Sequence, residues 1–217
     1  MGSVEEKMKP VMLKAVQLVV GFEKGSPLNQ VPLNFSLPQK GLVALTGTNG
    51  SGKTTLLRSL LGETTLLSGN WFWEGISIPV QKWSVRNLSK QIAYLPQEPL
   101  YEGIQTVQTH WQLASRVGAF RFDLRNLAQE LGLGLDQRLG EMSSGQRQRA
   151  FLGRVLLQPC QLMVLDEPTN HLDAELKQDV WRTLKKLSQE QLIWLATHDT
   201  ENVTSYCDEM ISLSSTI

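Results

Sequence analysis

The chain has two cysteines in 217 residues, Cys160 and Cys207. They lie far apart and have no His or Cys companions at metal-ligand spacing, so neither a disulfide framework nor a thiolate metal site is indicated, and reduced thiols are expected. An excess of either charge is also missing. Lys and Arg together number 21, as do Asp and Glu, so no global field gathers nucleic acid or anionic lipid, and no nucleic acid partner is expected. Long apolar runs are absent. The longest, such as Leu162 to Leu165 and Leu192 to Ala196, are strand-sized and far short of the ~20 residues a spanning helix needs, so no direct membrane insertion is expected. Met1 to Pro10 mixes charges of both signs and leads into no signal-like apolar core, which reads as a retained, soluble start and a cytoplasmic location. Repeats and low-complexity tracts are absent as well, and the length fits one α/β domain or a core with one subdomain.

What is present falls into two patterns. The first third is β-rich: Val11 to Val20, Leu33 to Leu37, Leu42 to Thr46, Trp71 to Trp73 and Ile76 to Ile78 are short apolar or alternating runs separated by Gly, Pro and Asn, which suggests an antiparallel layer near the N-terminus. From Ile92 onward strand-like and helical runs alternate, with helices expected around Val107 to Ser115, Leu124 to Leu131, Gly145 to Leu157 and Glu175 to Leu187. That alternation implies a parallel sheet covered by helices. The stretch from Glu98 to Met142 holds no strong strand candidate and reads as a mostly helical inserted subdomain (98–142) within a catalytic core (11–97 and 143–217). The six tryptophans are scattered and read as core or subunit-contact residues.

Gly47, Thr48, Asn49, Gly50, Ser51, Gly52, Lys53, Thr54 and Thr55 follow the apolar run Leu42 to Leu45 and precede a helical run to Leu61. Strand, glycine loop and helix in this order are the context of a phosphate-binding P-loop. The glycines let backbone N–H groups turn inward, the helix start adds partial positive charge, Lys53 reaches the terminal phosphates and Thr54 can ligate Mg²⁺. Leu162 to Glu167 is a buried-strand pattern ending in two carboxylates, at the strand end that faces the same crevice. Asp166 suits a Mg²⁺ contact and Glu167 the orientation or deprotonation of an attacking water. To this point the residues describe a magnesium-dependent nucleoside triphosphatase.

Met142-Ser143-Ser144-Gly145-Gln146, followed by Arg147-Gln148-Arg149, resembles the signature sequence of the ABC (ATP-binding cassette) ATPases. Asp166 to Asp173 resembles that family's joined Walker B and D-loop, Gln97 its Q-loop and His198 its switch histidine. Five motifs in order cover the chain from about Leu18 to Leu213. The resemblance implies an α/β fold with a P-loop NTPase (RecA-like) core, an N-terminal antiparallel β layer and an inserted helical subdomain. It implies ATP and Mg²⁺ as cofactors, with Gln97 joining Thr54 and Asp166 around the metal and water, and His198 reaching the γ-phosphate. It also implies a head-to-tail dimer with a second copy, in which Ser143, Ser144, Gly145 and Gln146 of one subunit cap the ATP on the other's P-loop and Asp173 communicates between them. Ser143 is equally readable as a plain helix N-cap, or as both. Two positions depart from the commonest signature: Met142 stands where Leu is usual, a nearly volume-conserving exchange, and Ser144 where Gly is usual. Phe22 lies where the family places an adenine-stacking aromatic, or is an ordinary loop or core ring.

The kind of cassette is read by exclusion. ABC-F translation cassettes often share Thr169-Asn170-His171-Leu172-Asp173 but carry two cassettes and a linker. Chromosome-maintenance relatives insert coiled coils or zinc modules, and export fusions include spanning helices. A separate ATPase subunit of a transporter remains, peripheral on the cytoplasmic membrane face and docked to integral membrane permease subunits near Gln97 and Glu98 to Trp111. Trp83 to Gln97 resembles the corresponding segment of iron-siderophore, haem and cobalamin importers. The chain stops soon after its last strand, so an appended regulatory domain is not expected. The rival reading is a soluble non-transport ATPase that acts on ribosomes, RNA or a protein partner.

Overall fold

A computed structural model describes residues 10–21, 27–29, 31–78, 91–116 and 118–213 of the chain. The expected aromatic contact of Phe22 and the stretch from Trp83 to Lys90 lie outside the described residues. The elements run β1 (Val11–Gly21), β2 (Leu33–Pro38), β3 (Gly41–Thr46), α1 (Lys53–Leu60), β4 (Thr65–Trp73), β5 (Ile76–Ile78) and β6 (Ile92–Leu95). They continue with α2 (Val107–Gln112), α3 (Leu124–Glu130), α4 (Ser144–Leu157), β7 (Leu162–Asp166), α5 (Ala174–Leu187), β8 (Leu192–Ala196), α6 (Thr200–Tyr206) and β9 (Glu209–Ser212).

Two sheets form. β2, β1, β4 and β5 make a four-stranded sheet whose pairings are all antiparallel, the layer expected from the first third. β6, β7, β8, β3 and β9 make a five-stranded parallel sheet in that order. One element sits differently from the sequence reading. Leu42 to Thr46, grouped there with the antiparallel runs, lies inside the parallel sheet between β8 and β9. The physical reason is burial: all six residues of β3 are buried, whereas β1 mixes buried positions with exposed and half-buried ones. Only a strand covered on both faces reads as a continuous apolar run.

The parallel sheet divides the core by the two-residue alternation of its strands. Leu42, Ala44, Leu95, Met163, Leu165, Ile193 and Leu195 face one apolar cluster, shared with residues of α2 to α5. Val43, Leu45, Leu162, Val164, Leu192 and Trp194 face the other, shared with α1 and the antiparallel sheet. The two sheets meet through aromatic rings: Trp71 of β4 stands edge-on to Trp194 of β8 at 5.9 Å, with Phe35 of β2 against both. This places Trp71, Trp111, Trp181 and Trp194 fully in the core.

Between β6 and α4 the chain forms two short helices and 3₁₀ turns at Leu113–Arg116 and Leu139–Glu141, with no strand among the described residues. Its apolar side chains have no core of their own. Val107, Trp111, Leu127 and Leu131 join the cluster built on α4 and α5. Trp111 is fully buried and its indole N–H donates to the Ala150 carbonyl at 2.7 Å. It packs against Gly153 of α4, where an added Cβ would stand 2.3 Å from Cζ2 of the ring. Two effects compete in Gly153→Ala: a gain of about 1 kcal/mol in helix propensity and a loss of about 1–3 kcal/mol from overpacking. Overpacking wins because the ring has no room to move in the core, and urea unfolding of this variant is expected to show net destabilisation; a stabilised variant would show that Trp111 yields freely.

Candidate nucleotide site

At the end of β3 the chain turns from an extended strand into α1 within six residues. Gly50 and Gly52 have φ of 80° and 94°. At Gly52 an added Cβ would also lie 1.8 Å from Leu28 Cδ2, so dihedral and space both demand glycine. Gly52 is the N-cap of α1, makes no side-chain cap bond, and is followed by no acidic residue in the first turn. The helix's first N–H groups and its partial positive charge are therefore left for an external anion. Lys53 is buried and folds back over the loop, donating from Nζ to the carbonyls of Gly47 at 2.9 Å and Thr48 at 3.2 Å.

β7 brings the carboxylates. Asp166 is completely buried, and neither Oδ1 nor Oδ2 has a hydrogen-bond partner among the described residues. Burial raises its pKa above the ordinary carboxylate value and the adjacent Glu167 adds to this, while the nearby Thr54 hydroxyl, Arg58 and Lys53 pull the other way. An orphaned buried carboxylate beside a threonine hydroxyl fits a hard divalent cation, for which oxygen donors are the natural ligands.

Glu167 follows in the left-handed region at φ 51°, a conformation that costs a non-glycine residue of order 1 kcal/mol or more and recurs at functional sites. Its N–H donates to Ala196 O at 2.9 Å, which pins the turn to the end of β8. Both Glu167 carboxylate oxygens lie 3.1 Å from His198 Nδ1. A carboxylate only accepts, so Nδ1 carries the proton and Nε2 is left as the ring's other hydrogen-bonding atom. His198 is held from both sides: Thr197 N–H donates to Leu45 O at 3.2 Å, and Asp199 caps α6 through Asn202 and bridges to Lys177 at 2.7 Å. For Asp199, burial pushes the pKa up, but the bonds from Lys177 and Asn202 outweigh it and hold the carboxyl below its usual range.

These strand ends open on one cavity of about 380 Å³. Asn49, Gly50, Gly52, Lys53, Thr54 and Thr55 line it from the loop and helix; Gln97, Asp166, Glu167 and His198 line it from the other strand ends. Gly47, Thr48 and Ser51 belong to the loop without lining the cavity. A larger groove of about 940 Å³ lies at the opposite edge of the sheet, beside Gly41, Gln161 and Gln191, and holds none of the motif residues. Two residues of the site were missed from sequence. Asn170 sits inside the Thr169 to Asp173 motif and could have been found there, whereas nothing in the sequence marks Leu28.

Ser143, Ser144, Gly145, Gln146 and Asp173 do not line this cavity. Ser143 is the N-cap of α4 in a reciprocal capping box: its hydroxyl accepts from Gln146 N–H at 3.2 Å and Gln146 Oε1 accepts from Ser143 N–H at 2.9 Å. Asp173 caps α5 by accepting from Leu176 N–H at 2.9 Å. Both are capping residues within one chain.

A parallel sheet with a glycine loop and bare helix start after one strand, and a buried aspartate and adjoining glutamate after another, defines a P-loop nucleotide hydrolase. The ABC transporter family matches residues 31–170, and the chain belongs to that family, as the ATP-binding, ATP-hydrolysing subunit of such a transporter. The chain is 30% identical over 200 residues to the lantibiotic transport ATP-binding protein SrtF of Streptococcus pyogenes, covering 91% of this chain and 84% of that protein. It is 28% identical to the iron(3+)-hydroxamate import ATP-binding protein FhuC of Bacillus subtilis, covering 93% and 78%. In fold it matches the dimeric structure of a bacterial ABC transporter cassette with a TM-score of 0.79, at 20% identity, over 94% of this chain and 95% of that one. These relatives favour the transport reading over the ribosome and RNA reading. Among the described residues no helix is long and apolar enough to cross a membrane.

The raised Asp166 pKa has a stability consequence. The folded protein holds this proton more tightly than the unfolded chain, so the unfavourable contribution is absent below the ordinary carboxylate pKa and grows as pH rises through and above it. Asp166→Asn is expected to be more stable relative to the parent at neutral pH than in acid, because it removes the charge whose burial is unfavourable only above the carboxylate's pKa. Urea unfolding at several pH values checks this; a variant less stable relative to the parent at neutral pH than in acid would mean the carboxylate has a favourable partner.

Proposed function

We propose that ATP binds along the loop from Gly47 to Thr55, with Lys53 moving from its own loop carbonyls onto the terminal phosphates. Thr54, Asp166 and Gln97 would hold Mg²⁺, which when bound screens phosphate charge and polarises the transferred group. Asp166 thereby exchanges an unpartnered burial for a ligand. Glu167 orients the attacking water and accepts its proton. The observation that carries this reading is the Glu167 carboxylate, strained off the strand and held by His198 Nδ1 beside the orphaned Asp166. For His198 to donate to a phosphate oxygen as well, the ring must become imidazolium or release Glu167. Either change makes the general base responsive to the presence of the γ-phosphate.

The signature end of α4, which does not line this cavity, serves the ATP of a second copy, and Asp173 lies on that same interface. Residues 98–142 act as a helical subdomain that moves against a core formed by 11–97 and 143–217, and Phe22 stacks on the adenine. Permease subunits in the membrane hold the pair on the cytoplasmic face. The cargo is of the metal-chelate or cofactor class, read from the segment ending at Gln97 and from the likeness to the iron(3+)-hydroxamate import protein. Removing the carboxylate in Glu167→Gln is expected to lower turnover by at least about 100-fold and leave ATP bound in a stable dimer, read by single-turnover hydrolysis and sedimentation. Rapid hydrolysis by that variant would take the role away from Glu167. Recovery of a polytopic protein with the tagged variant from detergent-solubilised membranes supports the transport assignment; recovery of ribosomes alone overturns it.

A further inference from the structure

The segment after Gln97 is fastened to the start of α4 by contacts that the cavity does not use. Gly140 N–H donates to Gly103 O at 3.0 Å and Leu139 N–H to Gln105 O at 2.9 Å. The two backbones approach so closely that a Cβ on Gly140 would stand 2.9 Å from Gly103 O. Beyond them Arg147, in the first turns of α4, donates from Nη1 to the Met142 carbonyl. Its guanidinium lies 4.9 Å from the centroid of the Tyr101 ring, and that ring stands edge-on to Phe151 of α4.

A cation at a helix N-terminus is repelled by the helix dipole, so Arg147 requires compensation, and the Met142 carbonyl and the Tyr101 ring supply it. The peptide from Met142 to Ser143 immediately precedes the cap of α4. Its orientation determines where the Ser143 hydroxyl and the first N–H groups of the helix point. We propose that Arg147 and Tyr101 are a positioning pair: Arg147 holds the Met142 carbonyl, the Tyr101 ring holds Arg147, and the segment beside the nucleotide cavity therefore turns together with the signature end. Through this pair a displacement of Tyr101 re-aims the anion-binding N–H groups of α4 without any change in α4 itself. The functional part of this inference rests on the reading that Ser143 to Gln146 contact the ATP of a second copy.

The test uses the full chain and two readouts. Amide hydrogen exchange at Gln146 and Arg147 in the nucleotide-free monomer is expected to accelerate about 3- to 10-fold in Tyr101→Ala and Arg147→Met, and to stay at the parent rate in Tyr101→Phe, which keeps the ring. In the Glu167→Gln background, Tyr101→Ala should weaken ATP-dependent dimerisation by a similar factor while the ATP affinity of the dilute single subunit is unchanged. Arg147→Lys keeps the charge but not the planar fork; it carries the same test if Arg147→Met fails to fold. Unchanged exchange in Tyr101→Ala, or a Tyr101→Phe variant as fast as the alanine one, overturns the pair. Accelerated exchange together with a Glu167→Gln parent that never dimerises leaves the pair standing and removes the second-copy reading.

Discussion

An unpartnered carboxylate sits at the end of a strand whose four preceding residues are apolar and fully buried, and much of the architecture serves to tolerate it. Neither carboxylate oxygen of Asp166 has a hydrogen-bond partner among the described residues. Left in a weak scaffold such a group would draw in solvent or let the strand end fray. Here β7 is flanked on both sides by β6 and β8 and covered on both faces, so the strand end has little freedom to move. The favourable burial of the sheet offsets the unfavourable burial of one acid. A site of this kind is preorganised for a cation because the penalty is already present before the cation arrives.

The same sheet fixes the geometry around that acid. Parallel pairing brings the C-terminal ends of β3, β7 and β8 to one edge, and the loop, the two acids and the histidine each leave from one of those ends. Register does the fine placement: Asp166 pairs with Ala196, and the next residue on each strand already belongs to the turn. Glu167 then departs from strand geometry through a positive φ, which takes its carboxylate to His198.

Much of this was legible in the residues because backbone demands and chemical demands coincided. The run Gly47 to Thr55 declares its own turn, Asp166 and Glu167 close an apolar run, and α3, α4 and α5 lie within one residue of their periodic patterns, while the run from Val107 to Ser115 is α-helical only to Gln112 and continues as a 3₁₀ turn. Sheet membership was harder. Leu42 to Thr46 stood among antiparallel neighbours in sequence, and only burial on two faces, which depends on distant helices, assigns it to the parallel sheet. Leu28 was illegible for a related reason: its place over Gly52 depends on a long-range approach, and a lone leucine in a loop carries no local signal. The partnership of Arg147 with Tyr101 was hidden too, since forty-six positions separate residues that the fold sets side by side.

The signature end of α4 lies off the cavity of its own chain, and on the proposed reading this governs how the protein responds to dilution. If the ATP site is completed by another copy, a lone subunit at low concentration binds nucleotide with its own contacts alone, and turnover rises faster than linearly with the amount of protein. Membrane subunits that each held one cassette would replace that dependence with a local concentration set by their spacing, commonly on the order of millimolar for short tethers. The rate would then follow the number of copies seated in pairs rather than the square of the free concentration.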